Sequence, residues 1–197
     1  MPTPIGHALA GLAIAWSVEA IKREPLQFGR RSTLAMTCAG LAICPDLDWL
    51  YPPAHRTMTH SIAATVATGA VIFALARRER SAQTLTITIA GTLAYGSHLL
   101  LDWFGGDTKL PAGIQLLWPF SDAWFISPVP IFRATDVGRF FRPLTMLSNG
   151  LAVLLEMLLL TPVALMALAW RRRALRASRA YLRERASRPT GHRDPTP

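Results

Sequence analysis

Residues 82–104 read "AQTLTITIAGTLAYGSHLLLDWF", a mostly apolar run that ends in a histidine and an aspartate. Residues 82–101 contain no Asp, Glu, Lys or Arg. As a helix rising about 1.5 Å per residue they cover about 30 Å, the hydrocarbon depth of a bilayer. His98 and Asp102 are four apart, so they project from one helical face, one turn apart, where the span finishes.

Four further apolar stretches lie at residues 5–20, 32–44, 61–76 and 148–170. The last is also long enough to span. Residues 61–76 are marginal, and the first two stretches are short, which calls for local thinning of the bilayer or half-buried packing. Hydrophobic residues make up 51% of the 197-residue chain and charged residues 17%, below the roughly 25% usual in soluble domains. Mean hydropathy is +0.27. No internal repeat is visible, and the opening "MPTPIGHALAG" lacks the basic segment of a cleavable signal. Cys38 and Cys44 read as small core residues, neither a zinc pair nor a disulfide framework. These features predict an all-α, polytopic transmembrane helical bundle of about five membrane helices. One domain covers residues 1–170, and a basic tail follows at 171–197.

The loops predict the orientation. "KREPLQFGRR" (22–31), "RRER" (77–80) and the tail together hold 16 of the 21 Lys and Arg residues. By the positive-inside rule that face is cytoplasmic, with the N-terminus outside and the C-terminus inside a bacterial inner membrane. The formal charge of +9 is then mostly topological and argues against nucleic acid as the partner. The tail can meet anionic lipid or recruit a cytosolic protein. A short helix is expected to about Arg185, with "SRPTGHRDPTP" (187–197) disordered. On the opposite face, a long aromatic-rich loop (103–147) includes "LPAGIQLLWPFSDAWFISPVPIF". Trp49, Trp103, Trp118 and Trp124 fall on this side. An interfacial aromatic belt accounts for them first, and a lip over a substrate second.

Seven ionisable residues share that outer depth. His7 opens the first stretch, Asp46 and Asp48 in "CPDLDWL" follow the second, and His55 and His60 in "HRTMTHS" precede the third. His98 and Asp102 close the fourth. A hairpin-connected bundle brings these ends together. Singly, each has a bland reading: His7 as a helix cap, the aspartates as a turn after Pro45, His98 as a satisfied interior group, Arg56 as a contact to lipid phosphate. Together they outweigh it, because ionisable groups at membrane depth are costly and mark function. Mixed His and Asp donors suit zinc, with manganese or iron(II) as alternatives, as one or two ions. Thr59 or Ser61 can cap the third helix and so aim His60. Glu156, within the last apolar stretch, reads as an inter-helix hydrogen bond or a supporting contact to the site. Asp107, Asp122 and Asp136 read as solvated loop residues.

The motifs "GHALAG", "CPDLDWL", "HRTMTHS", "GSHLLLDWF" and "GIQLLWPF" occur in this order over residues 4–125. In this the chain resembles a bacterial family of YdjM-like inner-membrane metal-dependent hydrolases, described as LexA-binding or LexA-regulated. The resemblance implies a multi-pass membrane protein with a metal centre at His7, Asp46, Asp48, His55, His60, His98 and Asp102. The histidine–x3–aspartate helix also looks like that of zinc-dependent phospholipase C enzymes, which implies phosphoester substrates. One departure is "DWFGGDT" (102–108), where many members have a threonine soon after the aspartate.

The combined expectation is a metal-dependent hydrolase that opens at the outer leaflet and acts on a phosphoester or lipid-like substrate. His60, His98, Asp102 and one of Asp46 or Asp48 hold the metal, and His7 and His55 complete the shell. The spare aspartate is the base for a metal-activated water, and Arg56 stabilises phosphoryl charge. No Gly-x-Ser-x-Gly motif supports a serine hydrolase. The rival is a non-catalytic metal-binding membrane protein, a transporter or a scaffold acting through the basic tail. A transporter would place its ligands near the midplane, not at helix ends.

Overall fold

The computed structural model describes residues 1–28, 32–51, 55–108, 110–136, 138–139 and 141–187. It is helical: α1 (Pro4–Lys22), α2 (Leu34–Ile43), α3 (Ile62–Arg78), α4 (Thr84–Trp103) and α5 (Pro143–Ser187). The α1–α2 connection carries a two-residue antiparallel pair, β1 (Gln27–Phe28) and β2 (Ser32–Thr33). The α2–α3 connection carries two 3₁₀ segments, Cys44–Leu50 and Met58–His60.

Among the described residues, three helices, α1, α4 and α5, are long and apolar enough to cross a membrane. At 10 residues, α2 covers only about 15 Å and packs as a half-depth helix between α1 and α4. The 17-residue α3 lies against α4. The five helices are therefore three of spanning length and two shorter ones. Leu85 and Leu93 on α4, Val66 and Val71 on α3, and Leu154, Leu158, Leu165 and Met166 on α5 are all exposed. So much bare apolar surface suits a lipid surround and not water.

Where helices meet, the contacts are small. Ala15, Cys38, Ala90 and Ala94 are fully buried beside Leu34 and Ile87, since lipid gives no hydrophobic drive and close backbone approach must hold the helices together. Gly11 marks the tightest crossing. A Cβ there would sit 2.4 Å from the Cys38 carbonyl oxygen, so α1 and α2 touch backbone to backbone.

The last helix is longer than its apolar stretch at 148–170. It starts with Pro143 at a position where a missing N–H costs nothing, then runs on through the arginines. Alanine, leucine and arginine in "RRRALRASRAYLRER" all favour helix. At 45 residues it measures about 68 Å, so the basic tail is a continuation of the membrane helix, not a separate element. Arg171 forms an ion pair with the buried Glu19, which also accepts the Leu26 N–H at 2.8 Å. Only Ser187 of "SRPTGHRDPTP" is described, as the end of α5; the disorder expected for the remainder lies outside the described residues.

Chain direction alternates, so the start of α1, the end of α2, the start of α3, the end of α4 and the start of α5 share one end of the bundle. The loop after α4 caps this end. Its backbone is tied down by Ile114 and Phe125 exchanging hydrogen bonds at 3.0 and 2.9 Å, by Gln115 N–H to Arg56 O at 3.0 Å, and by Ile62 N–H to Leu116 O at 3.0 Å. Ile114 is buried against Tyr95 and Leu99. The expected aromatic loop is thus an ordered cap.

Candidate metal centre

The centre begins on α4, where the four-residue spacing does what helix geometry requires: His98 Nε2 lies 3.2 Å from Asp102 Oδ2. His98 Nδ1 donates to the Ala42 carbonyl at 2.8 Å, at the end of α2. That bond fixes the tautomer and turns the Nε2 lone pair inward.

"CPDLDWL" contributes from a 3₁₀ segment, whose three residues per turn send Asp46 and Asp48 to different sides. His60 lies between them. Its Nδ1 is 3.0 Å from Asp48 Oδ2, and its Nε2 is 3.7 Å from Asp46 Oδ1. Ser61 caps α3 by accepting the Ala64 N–H at 3.0 Å while donating to Met58 O at 2.8 Å, which sets the backbone that aims His60. Tyr95 secures the same turn by donating to the Thr59 carbonyl at 2.7 Å.

Asp46, His60, His98 and Asp102 each offer a ligand atom, all within 4.8 Å of one another. His60 Nε2 lies 3.0 Å from His98 Nε2 and 3.3 Å from Asp102 Oδ2, and His98 Nε2 is 3.5 Å from Asp46 Oδ1. A tetrahedral zinc with bonds of about 2.0–2.1 Å has donor–donor edges of about 3.3 Å. The spacing therefore fits one small divalent ion. So does the state of Asp102, which is buried with both oxygens lacking a hydrogen-bond partner among the described residues. A buried carboxylate without donors is expensive unless a cation meets it. For His60, burial opposes the charged form, but Asp102, Asp46 and Asp48 outweigh it and raise the pKa well above the ordinary histidine value. The field that holds a proton there is the field that attracts a cation.

The other expected residues fall around this group. Asp48 stands behind His60: its oxygens accept from His55 Nδ1 at 2.7 Å, Arg56 N–H at 3.0 Å, Thr59 Oγ1 at 2.5 Å and His60 Nδ1. Burial alone would raise this carboxyl, yet the bonds from His55 and His60 hold it far below the usual carboxylate range. Its bond to the four-residue group is to His60 Nδ1, on the far side of the ring from the Nε2 that faces Asp46, so it positions His60. His55, half-buried, bonds Asp48 and lies edge-on to His60 with ring centroids 5.8 Å apart. His7 is fully buried and stacks on His98 with centroids 3.8 Å apart.

This chain belongs to the YdjM inner membrane protein family. The model of that family matches residues 1–175. No curated protein and no solved structure matches.

In this YdjM-family chain, loop and helix-end residues beyond the four-residue group are also held in place. Asp107 is not a solvated loop residue: it is buried, ion-paired with Arg56, and accepts the Gly113 N–H at 3.2 Å. Arg56 has a left-handed backbone (φ 66°), held by its N–H on Asp48 and its carbonyl on Gln115. A non-glycine residue kept there costs on the order of 1 kcal/mol and points to a positional demand. Glu156 makes the inter-helix bond expected of it. It caps α1 from α5, accepting Thr3 N–H at 3.0 Å and Thr3 Oγ1 at 2.6 Å, one turn before His7. Gly6 makes room, since a Cβ there would lie 2.9 Å from Glu156 Oε2. Asp136 also departs from plain solvation, bonding Asn149 and Gly138, whereas the Asp122 side chain is exposed. A signal for Asp107 was present in "DWFGGDT", an acid five residues past a ligand, but no periodicity links it to Arg56.

Proposed function

We propose that this protein is a metal-dependent hydrolase that cleaves a phosphoester or lipid-like substrate at the outer face of the bacterial inner membrane. The observation that carries the reading is the convergence of ligand atoms from Asp46, His60, His98 and Asp102, all within 4.8 Å of one another, three of the residues buried and Asp46 partly exposed. The site would hold a divalent ion, zinc first and manganese or iron(II) next, which would supply Lewis acidity and lower the pKa of water towards about 7. With His60, His98 and Asp102 as the protein donors, Asp46 at the open side would be free to accept the proton of water as its oxygen attacks phosphorus. The bond from phosphorus to the leaving oxygen breaks, and that oxygen takes a proton from solvent. Arg56 has further guanidinium donors beyond the one that meets Asp107, and these can stabilise the anionic phosphoryl group.

A lipid-like substrate is favoured by the rim. Leu47, Trp49, Leu50 and Tyr51 are exposed within and just after the segment that carries Asp46. A cavity of about 510 Å³ in the loop after α4 is lined by Asp107, the partner of Arg56, with Thr108, Ser127, Phe132 and Arg133, and does not include the four metal-site residues. The orientation with this end outside follows from the basic residues at the opposite end, where the arginine-rich part of α5 meets cytoplasmic anionic lipid.

Protein purified in detergent tests this through metal content and through release of alcohol from phospholipids and isoprenoid phosphates. Wild type should bind metal and turn over one of these classes, and His98→Ala/Asp102→Ala should do neither. Bound metal without turnover would move the protein to the non-catalytic metal-binding class. Equal, near-zero metal in both would end both readings.

A further inference from the structure

Among the described residues, five buried side-chain nitrogen or oxygen atoms lack a hydrogen-bond partner, and four of them belong to His7 and Asp102. The four-residue site accounts for only part of this. Asp102 Oδ2 is the oxygen that faces His60 and His98, at 3.3 and 3.2 Å. Oδ1 faces His7 Nε2 at 3.5 Å. That separation is beyond the roughly 2.7–3.2 Å of an N–H···O bond, and it approximates the edge of about 3.3 Å between two donors on one small divalent ion. His7 has little freedom to turn away. It is fully buried, its ring lies on that of His98, and its helix start is clamped by Glu156 through Thr3.

We propose that Asp102 bridges two divalent cations, the second held by His7 Nε2 and Asp102 Oδ1. The inference rests on the metal site proposed above and extends it. Water, or the phosphoryl oxygens of substrate, would complete the second ion's shell, as is common for ions held by one or two protein groups. Two cations about 3.5–4 Å apart clamp the attacking and leaving oxygens of an in-line displacement at phosphorus. Of the phosphoester and lipid-like substrates proposed above, the pair favours phosphoesters.

The full-length protein in detergent, stripped with a chelator and titrated with Mn(II) by equilibrium dialysis, should take up two equivalents. Its electron paramagnetic resonance spectrum should show an exchange-coupled pair. His7→Gln should take up one equivalent and give only an uncoupled signal. A single uncoupled equivalent in wild type overturns the second site and leaves the four-residue site standing, whereas no uptake overturns both. Loss of both ions from a folded His7→Gln protein would assign His7 to the first site and also overturn the proposal. The wild-type stoichiometry and coupling need no variant, so a misfolded substitution leaves the test intact.

Discussion

Replacing Asp48 by asparagine separates a group that orients a ligand from one that is a ligand. The amide can keep its oxygen towards Arg56 N–H, Thr59 O–H and His60 N–H, where Asp48 Oδ2 now lies at 3.0, 2.5 and 3.0 Å. Its NH₂ then turns to His55, whose Nδ1 can offer a lone pair in place of the present 2.7 Å contact. Shape is kept and charge is lost. Charge-assisted bonds are about twice as strong as neutral ones, which contribute about 1 kcal/mol each, so three weakened bonds set a ceiling of about 3 kcal/mol. Loss of a supporting partner of this kind lowers metal affinity by about 10–100-fold, or about 1.4–2.7 kcal/mol, which lies under that ceiling. The assay is zinc competition against a chromogenic chelator, with Asp102→Asn as the variant that loses a direct ligand. Affinity unchanged from wild type would refute the role of Asp48 in aiming His60. Affinity as low as in Asp102→Asn would make Asp48 a ligand itself.

Three other outcomes follow from the same contacts. Glu156→Gln should lower thermal stability in detergent by about 1.5–3 kcal/mol, the worth of hydrogen bonds to a buried charge, because Thr3 loses its carboxylate; an unchanged melting temperature would count against the α5 cap on α1. Gly11→Ala should destabilise by about 1–3 kcal/mol by forcing α1 off the Cys38 carbonyl, while Gly40→Ala, with open space around it, should stabilise by up to about 1 kcal/mol; equal effects at the two sites would remove the argument for a tight α1–α2 crossing. In metal-free protein the Asp48 carboxyl is held low when folded, so the unfolded chain binds its proton more readily and its stabilisation is complete above about pH 4 and lost as the pH falls further. Wild type should therefore lose helical signal more steeply below about pH 4 than Asp48→Asn, and equal acid limbs would contradict the depressed pKa.

Residue pattern alone settled the helical membrane class, because uncharged apolar runs near 20 residues leave the chain no other way to satisfy its backbone in lipid. It also determined that His98 and Asp102 share a face, since one helical turn is a local fact. The membership of His60 and Asp46 was legible as a shared depth at helix ends. Which oxygen meets which nitrogen was not. Asp46 and Asp48 are two residues apart in similar surroundings, and only the 3₁₀ segment sends one into the ligand group and the other behind His60. Asp107 was visible in "DWFGGDT", but its pairing was not, because its partner Arg56 lies 51 positions away and the ion pair exists only once the α4 loop folds over the bundle. Likewise the ion pair of Arg171 with Glu19, which ties α5 to α1 across 152 positions, leaves no trace in local spacing. Spacing along one element is a property of the chain. Donor geometry among side chains from four elements is set by how α1, α4 and the Cys44–Leu50 and Met58–His60 segments pack, and that was decided in three dimensions.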